Sequence, residues 1–313
     1  MRKDCFRDLW TFVAPGRALR HFDSKEVKAS DHTGCFFCPG NENLTPPEIS
    51  RVQENGSWQV RVFPNKFPII GGEDISENGW ETASSYGHHE VIVETPDHYQ
   101  RVSEITVAEM VNTLRTYRDR INALEDDPNI GYVSVFKNQG REAGASLDHS
   151  HTQVLAVTQV PAQIKEKMEH SHTGECIYCK INQGERVSPR LVSINDSFVA
   201  FCPFAPRFTH ELWVVSREHI RSLNNLNDPA LADLAGILLK SLKVVEKVTP
   251  NYNMVLNYGP KGADFHFHIE IVPRIPHQVK AGFELGTDYA VITTAPEETA
   301  AFYREHISEN QPY

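Results

Sequence analysis

Two histidines and a glutamine alternate in the stretch 148–153, which reads D-H-S-H-T-Q and runs directly into the apolar segment 154–157. Alternate residues of a β-strand project to one face at intervals of roughly 6 to 7 Å, so His149, His151 and Gln153 are expected to line one surface. A neutral imidazole is a nucleophile near neutral pH because its pKa is about 6.5, and a carboxamide N–H binds a phosphoryl oxygen without adding negative charge. The pattern therefore suits attack on phosphorus. The alternative is an ordinary strand with exposed or hydrogen-bonded histidines, since short motifs give many false matches.

The loop upstream, residues 138–146, contains two glycines and a serine that let backbone N–H groups approach an anion closely. Together with the H-x-H-x-Q motif, this loop resembles the active-site signature of the galactose-1-phosphate uridylyltransferase family, the transferase branch of the histidine triad superfamily. The resemblance implies that His151 is the catalytic nucleophile and that Gln153 supports a covalent intermediate. The matching positions are Asn138, Gly144, Ser146, His149, His151 and Gln153.

Three further segments resemble substrate-binding parts of the same family. Its members approach the substrate phosphates with paired arginines, flank the nucleoside with an N-x-F segment and contact the hexose with an F-E pair. This chain departs from the pattern at Lys66, where some members carry an acidic residue, and at Ala290, where a glutamine is expected. The matching residues are Arg17 and Arg20 for the phosphates, Asn65 and Phe67 for the nucleoside, and Phe283 and Glu284 for the hexose.

Four of the six cysteines form two C-x-x-C pairs, at positions 35 and 38 and at positions 176 and 179. Disulfides are not expected in a reducing compartment. A thioredoxin-like redox site would need such a motif at the start of a helix in a different fold pattern. Because histidines follow each pair, the spacing favours zinc sites over a redox site.

The second half of the chain repeats the order of the first. In each half a C-x-x-C pair precedes a strand that begins with His-Glu, a histidine nine positions later, and then an H-x-H motif. Each half therefore offers four donors for a closed, structural zinc site, with His89 and His210 as competing ligands. The second C-x-x-C also resembles the nucleotide-sugar phosphorylase members of the family. The predicted ligand sets, for two zinc ions per chain, are Cys35, Cys38, His98 and His149, and Cys176, Cys179, His219 and His266.

One substitution separates the two copies of the motif. Glu270 stands in the second half where Gln153 stands in the first. Because a carboxylate repels a bound phosphate, the second half is expected to have kept its metal and lost its chemistry.

The elements that must position these groups predict an α+β fold with antiparallel sheets and packed helices. Together with the repeat, the family resemblance implies two fused histidine-triad-like modules, residues 1–165 and 166–313. Thr106 and Glu109 form a capping box for a helix that runs to about residue 124. A second helix begins near Asp228-Pro229 and runs to about residue 248. Strands are expected at about 58–63, 89–94, 130–137, 154–157, 211–215 and 253–257.

Composition excludes several classes of function. The 313 residues carry a formal net charge of -10, which disfavours broad nucleic-acid binding but allows a small basic pocket for a nucleotide. We find no apolar run of about 18 residues that would span a membrane and no signal-peptide core at the start, so a cytoplasmic protein without a membrane partner is expected.

Together with these observations, the family resemblance implies a nucleotidyltransferase of galactose metabolism. The family resemblance implies exchange of UMP between UDP-glucose and galactose 1-phosphate through a covalent nucleotidyl-histidine, in a homodimer whose partner completes the pocket. One alternative is adenylyl transfer from ADP-glucose to phosphate by a phosphorylase-like enzyme. Another is a zinc-stabilised nucleotide-binding protein without turnover, although simple binding requires no nucleophile.

Overall fold

The computed structural model describes residues 1–5, 7–15, 17, 34–54, 56–71, 79–172, 174–276 and 280–308. Over these residues the chain is an α+β protein, as predicted. The strands are β1 (Arg2–Lys3), β2 (Trp10–Thr11), β3 (Ser50–Glu54), β4 (Ser57–Pro64), β5 (Gly87–Val93), β6 (Tyr132–Gln139), β7 (His151–Val157), β8 (Leu191–Ile194), β9 (Phe198–Phe201), β10 (Leu212–Ser216), β11 (Tyr252–Asn257) and β12 (His268–Pro273). The helices are α1 (Val107–Glu125), α2 (Ala162–Glu169), α3 (Ile177–Glu185), α4 (Asp228–Val248), α5 (Gly282–Thr287) and α6 (Pro296–Ser308).

Within this part of the chain, ten strands form one antiparallel sheet in the order β3-β4-β5-β7-β6-β11-β12-β10-β9-β8. The two halves of the chain meet where β6 pairs with β11. Outward from that junction, β6-β7-β5-β4-β3 and β11-β12-β10-β9-β8 follow the same order, which matches the repeat in the sequence. The sheet is continuous across the junction, and the module boundary between residues 165 and 166 stays a prediction.

Local capping fixes where the two long helices begin. The Thr106 hydroxyl accepts a hydrogen bond from the backbone N–H of Glu109, whose carboxylate accepts one from the N–H of Thr106, so the predicted capping box is confirmed. For α4 the cap is Asn227, which accepts from the N–H of Ala230, one residue before the expected start. Pro229 follows in the first turn, where a missing N–H removes no helical hydrogen bond.

The main apolar core lies between α1, α4 and one face of the sheet. Leu114 and Tyr117 of α1 and Leu234 and Leu238 of α4 are buried there against strand residues from both halves, such as Val154. No helix within the described residues is long and apolar enough to cross a bilayer.

A charged pair is buried where the core meets β7. Glu94 and Lys137 are both fully buried, and Lys137 Nζ lies 2.6 Å from the Glu94 carboxylate. The same carboxylate accepts hydrogen bonds from Tyr117, Ser150 and Thr152. Burial alone would raise the pKa of Glu94, but the charge of Lys137 and these hydrogen bonds outweigh it, so the pKa is lowered. The carboxylate is therefore ionised at neutral pH, and its contribution to stability is lost as the pH falls through the folded-state pKa.

Removing one partner of this pair should leave a buried, unpaired charge. We expect Lys137→Met to lower the free energy of unfolding by about 3–5 kcal/mol, measured by urea denaturation at neutral pH. Lys261→Met is the matched control: it breaks the exposed ion pair of Lys261 with Asp126 and should change stability by less than about 1 kcal/mol. If Lys137→Met lowers the free energy of unfolding by no more than the control does, the pair has no structural role.

Candidate active site

His151 and Gln153 of the motif lie on β7, a strand in the interior of the sheet between β5 and β6. His149 is predicted to line the same surface, but it precedes the strand and belongs to a cluster of Cys and His donors, not to the cavity lining. In the register with β5, Val93 is opposite His151 and Val91 is opposite Gln153. His151 and Gln153 are buried and both line one cavity. Ser150 and Thr152 point to the opposite face, toward the Glu94 carboxylate. Alternate residues therefore face opposite sides of the sheet, as the sequence predicted: one side lines the cavity and the other binds the buried Glu94 carboxylate.

One hydrogen bond sets the protonation of the predicted nucleophile. His151 Nδ1 lies 2.8 Å from the backbone carbonyl oxygen of His149. Because a carbonyl only accepts, Nδ1 must carry the proton and donate. A neutral His151 ring then has its lone pair on Nε2, the nitrogen a nucleophilic imidazole uses to attack. The ring also packs against Phe37 in a T-shaped contact with a centroid distance of 5.3 Å.

The cavity beside His151 has a volume of about 290 Å³, at the small end of the range for small-molecule sites. Its walls are mainly aromatic and aliphatic. Polar residues reach it from β7, from the loop before β7 and from the segments around Thr45 and Asn65. Lys66 supplies a cationic side chain. The lining residues are Phe36, Phe37, Leu44, Thr45, Pro46, Phe63, Asn65, Lys66, Phe67, Val91, Gly144, Ser146, Leu147, His151 and Gln153.

The structure gathers four of the predicted substrate-binding residues at this cavity. Asn65, Phe67, Gly144 and Ser146 all line it, and the Arg17 guanidinium donates to the backbone carbonyl of Phe67 at 3.0 Å. Arg17 therefore contacts the segment predicted to bind the nucleoside.

Other predicted contacts lie away from the cavity or outside the described residues. Asn138 does not line the cavity, and its side-chain oxygen accepts from Asn253. Phe283 and Glu284 do not line it either: Phe283 stacks on Tyr289, and Glu284 accepts from the N–H of Ala281 at the start of α5. Arg20 lies outside the described residues.

The four residues of the first predicted metal site lie close together in the structure, as the sequence predicted. Cys35, Cys38, His98 and His149 place one donor atom each within 4.8 Å of one another. Zinc bond lengths of about 2.3 Å to sulfur and about 2.0 Å to nitrogen put tetrahedral S and N donors about 3.6 Å apart. The observed Sγ to Nδ1 distances are 3.4 to 3.6 Å, so the donors fit such an ion.

Backbone support sets the metal-facing atom of His149. Its Nε2 donates to the Thr95 carbonyl at 2.8 Å, which leaves the Nδ1 lone pair facing the two sulfurs. Burial lowers the pKa of His149 to about 4, so the ring is neutral near pH 7. Burial also raises the pKa of Cys38 to about 12. A bound cation would displace that thiol proton, so metal affinity should fall as the pH falls.

The second predicted set repeats this arrangement. Cys176, Cys179, His219 and His266 also place their donors within 4.8 Å of one another. His266 Nε2 donates to a backbone carbonyl, that of Ser216, at 2.7 Å, just as His149 does in the first set. The predicted competitors His89 and His210 belong to neither cluster.

The second half differs at the position that corresponds to the nucleophile. His268 stacks on Tyr178 with a centroid distance of 4.6 Å. Glu270, which replaces the glutamine, receives hydrogen bonds from Lys167 and Arg207 at 2.6 Å each. Burial would raise the pKa of Glu270, but contacts with His268 and these cations lower it. Lys167 and Arg207 therefore pair with the carboxylate that stands in place of Gln153.

Sequence reasoning missed three contributors to the site. Phe37, between the two cysteines, packs on His151 and lines the cavity; the aromatic pair inside C-F-F-C was an available signal. Lys137 donates to the backbone carbonyl of His151, but a lone lysine in a strand carries no such signal. His89, proposed as a rival ligand, instead lies 3.0 Å from Gln153.

Comparison of this chain with known proteins finds uridylyltransferases and related proteins, both by sequence and by structure. Residues 2–161 match the galactose-1-phosphate uridyl transferase N-terminal domain, and residues 175–280 match the scavenger mRNA decapping enzyme C-terminal binding family. The chain is 30% identical to an ADP-glucose phosphorylase of Arabidopsis thaliana, with 97% of this chain and 92% of that protein covered. It is 26% identical to a galactose-1-phosphate uridylyltransferase of Thermotoga maritima, with 97% and 98% covered. A solved uridylyltransferase structure is 29% identical, with 98% of each chain covered and a TM-score of 0.83.

The duplicated donor sets predict about two zinc ions per chain, each contributing to stability. Elemental analysis of purified protein measures the count. Cys35→Ser and Cys176→Ser should each remove about one metal ion and lower the melting temperature, because each deletes one of four donors. Cys5→Ser, a change at an exposed cysteine outside both clusters, is the control and should keep both ions. Metal-free wild-type protein with full stability would contradict the assignment.

Proposed function

The chain belongs to the galactose-1-phosphate uridylyltransferase family, and on that basis we propose that it transfers a nucleotidyl group from a nucleoside diphosphate hexose through a covalent intermediate on His151. The observation that carries this proposal is the hydrogen bond from His151 Nδ1 to the His149 carbonyl, beside a cavity that His151 and Gln153 both line. The tautomer alone does not identify a nucleophile, because His268 makes the same hydrogen bond in the second half. The proposal depends on this tautomer together with the cavity and Gln153.

The reaction follows from this tautomer. The Nε2 lone pair attacks the α-phosphorus and forms an N–P bond, while the P–O bond to the departing hexose 1-phosphate breaks and its electron pair leaves on that oxygen. The leaving group is a phosphate monoester with a second pKa of about 6, so it departs without a strong general acid. In the second half-reaction a phosphate oxygen of the acceptor attacks phosphorus, and the electron pair returns to Nε2.

The groups around the cavity suit a phosphate substrate. The amide of Gln153 and the segment of Gly144 and Ser146 would donate hydrogen bonds to phosphoryl oxygens. Lys66 and Arg17 would supply positive charge near the nucleoside-binding segment. We also assign roles in phosphate binding to Arg20 and Asn138 and in hexose binding to Phe283 and Glu284, with a second copy of the chain in a homodimer completing the pocket.

Zinc is the metal we propose for both Cys2His2 clusters. Bound at the first cluster, it would act as a structural ion that cross-links the C-x-x-C loop to His149. That loop carries Phe37, which contacts the nucleophile, and His149 accepts the hydrogen bond that sets the tautomer of His151. The metal cluster therefore positions the reacting ring from two sides without taking part in the reaction.

For the donor and acceptor we propose UDP-glucose and galactose 1-phosphate, on the basis of Asn65, Phe67 and the loop signature. A second candidate is transfer from ADP-glucose to inorganic phosphate. Its support is the 30% identity to an ADP-glucose phosphorylase, together with the second C-x-x-C pair.

The two candidates differ in a direct measurement. We expect kcat/KM with galactose 1-phosphate as acceptor to be higher for UDP-glucose than for ADP-glucose. Each donor should be tested with galactose 1-phosphate and with inorganic phosphate. If ADP-glucose with phosphate gives the highest kcat/KM, the second candidate replaces the first.

The covalent step predicts an adduct that forms with the donor alone. Mass spectrometry should find one nucleotidyl group, labile to acid and stable to base, on the peptide that contains His151. His151→Asn should fold, keep its metal and bind donor, but show no isotope exchange because the nucleophile is gone. Gln153→Ala should react about 10²- to 10³-fold more slowly because one hydrogen-bond donor to the phosphoryl group is lost.

His88, on the neighbouring strand β5, offers a control. His88→Asn alters a partly exposed side chain near Asp127 and should leave adduct formation intact. If wild-type protein forms no adduct and its kinetics require both substrates bound together, the covalent mechanism is wrong.

A further inference from the structure

His89 lies beside the candidate active site without lining its cavity. It is buried on β5 and faces the same side of the sheet as Gln153. His89 lies two residues before Val91, which is the residue of β5 opposite Gln153. We propose that His89 is a positioning residue, which holds the Gln153 carboxamide so that its N–H bonds point to the reacting phosphoryl group. The proposal rests on the nucleotidyl transfer proposed above, and it adds a residue that acts on the reaction through Gln153.

The first step is the tautomer of His89. The backbone N–H of Ile69 donates to His89 Nδ1 at 3.1 Å. Because a backbone N–H only donates, Nδ1 must be an acceptor and cannot carry a proton. The ring proton of His89 is therefore on Nε2. The opposite tautomer would bring two N–H groups face to face at that distance.

The second step is the orientation of Gln153. Its side-chain oxygen Oε1 lies 3.0 Å from His89 Nε2, so Nε2–H donates and Oε1 accepts. The amide nitrogen, with its two N–H bonds, is then the polar atom that Gln153 offers to the cavity it lines. If the amide were flipped, its oxygen would face the substrate and repel the negative phosphoryl oxygens.

A neighbouring contact is not a hydrogen bond under this assignment. Asn65 Oδ1 accepts from the backbone N–H of Phe67 at 2.8 Å, which fixes the Asn65 amide. Its Nδ2 lies 3.3 Å from His89 Nε2. Both nitrogens carry protons, so neither can accept from the other. Of the two groups beside His89 Nε2, Gln153 Oε1 is the one that can accept its proton. His89 thus connects the backbone at Ile69, through Nδ1, to Gln153, through Nε2.

The second half of the chain shows what happens without the glutamine. His210 occupies the position that corresponds to His89, and its Nδ1 contacts the Thr299 hydroxyl at 3.0 Å. Glu270 is held instead by Lys167 and Arg207. A histidine N–H orients a carboxamide, whereas a carboxylate needs no orientation and takes cations. The histidine contact and the glutamine therefore occur together in the half that carries the nucleophile.

A double-mutant cycle separates positioning from a general structural effect. The measured quantity is the rate of the first half-reaction, adduct formation with donor alone, in His89→Leu, Gln153→Ala and the double variant. His89→Leu should lower this rate about 10- to 100-fold with little change in donor affinity, since the amide loses its fixed orientation. In the double variant the rate should match that of Gln153→Ala alone, because His89 acts through Gln153. If the rate reductions of the two single variants multiply in the double variant, His89 does not act through Gln153 and the proposal is overturned.

Two further variants sharpen the cycle. His89→Gln can place an N–H near the same point and should restore a rate close to that of the wild type, whereas His89→Leu cannot. His88→Leu is the matched control on the neighbouring position, whose side chain faces Asp127, and should react like the wild type. If His89→Gln is folded and metal-loaded but its rate stays as low as that of His89→Leu, His89 does not act as a hydrogen-bond donor to Gln153.

NMR of the wild-type protein tests the proposal without activity. With isotope-labelled histidine, the His89 signals should show a proton on Nε2 and none on Nδ1 at neutral pH. A proton on Nδ1 would overturn the proposal even if every variant were slow. If instead no donor forms an adduct while the tautomer is as assigned, the proposed function fails and the His89–Gln153 contact stands.

Discussion

The alternation of side chains along β7 is the constraint on which the candidate site depends. A strand in the middle of an antiparallel sheet presents successive residues to opposite faces. His151 and Gln153 therefore face the cavity, while Ser150 and Thr152 bind the Glu94 carboxylate that Lys137 neutralises. A shift of one residue in the register would exchange the two faces, burying the imidazole against the charged pair and opening the hydroxyls to the cavity.

Backbone carbonyls set the protonation of the histidines in both halves of the molecule. His149 and His266 each donate from Nε2 to a carbonyl and turn Nδ1 to a pair of sulfurs. His151 and His268 each donate from Nδ1 to the carbonyl two residues earlier. A carbonyl fixes a tautomer without adding charge, so a nucleophilic nitrogen and a metal-binding nitrogen can be prepared two residues apart.

The two halves then diverge through charge. In the first half a neutral carboxamide stands two residues after the inner histidine, and a neutral histidine orients it. In the second half a carboxylate stands there, and Lys167 and Arg207 occupy its oxygens. One substitution thus exchanges a surface that suits a phosphate for an internal ion-pair cluster, while the Cys2His2 arrangement beside it is unchanged.

The sequence alone determined the fold class, both donor sets and the face shared by His151 and Gln153, because each depends on residue types at fixed spacing in one strand or one repeat. Tertiary structure decided the rest. The partners of His89, the contact of Phe37 with His151 and the burial of Lys137 beside Glu94 join residues far apart in the chain. No local period encodes such contacts; they exist because β5, β6 and β7 pair in one register and bring separate segments within hydrogen-bond distance.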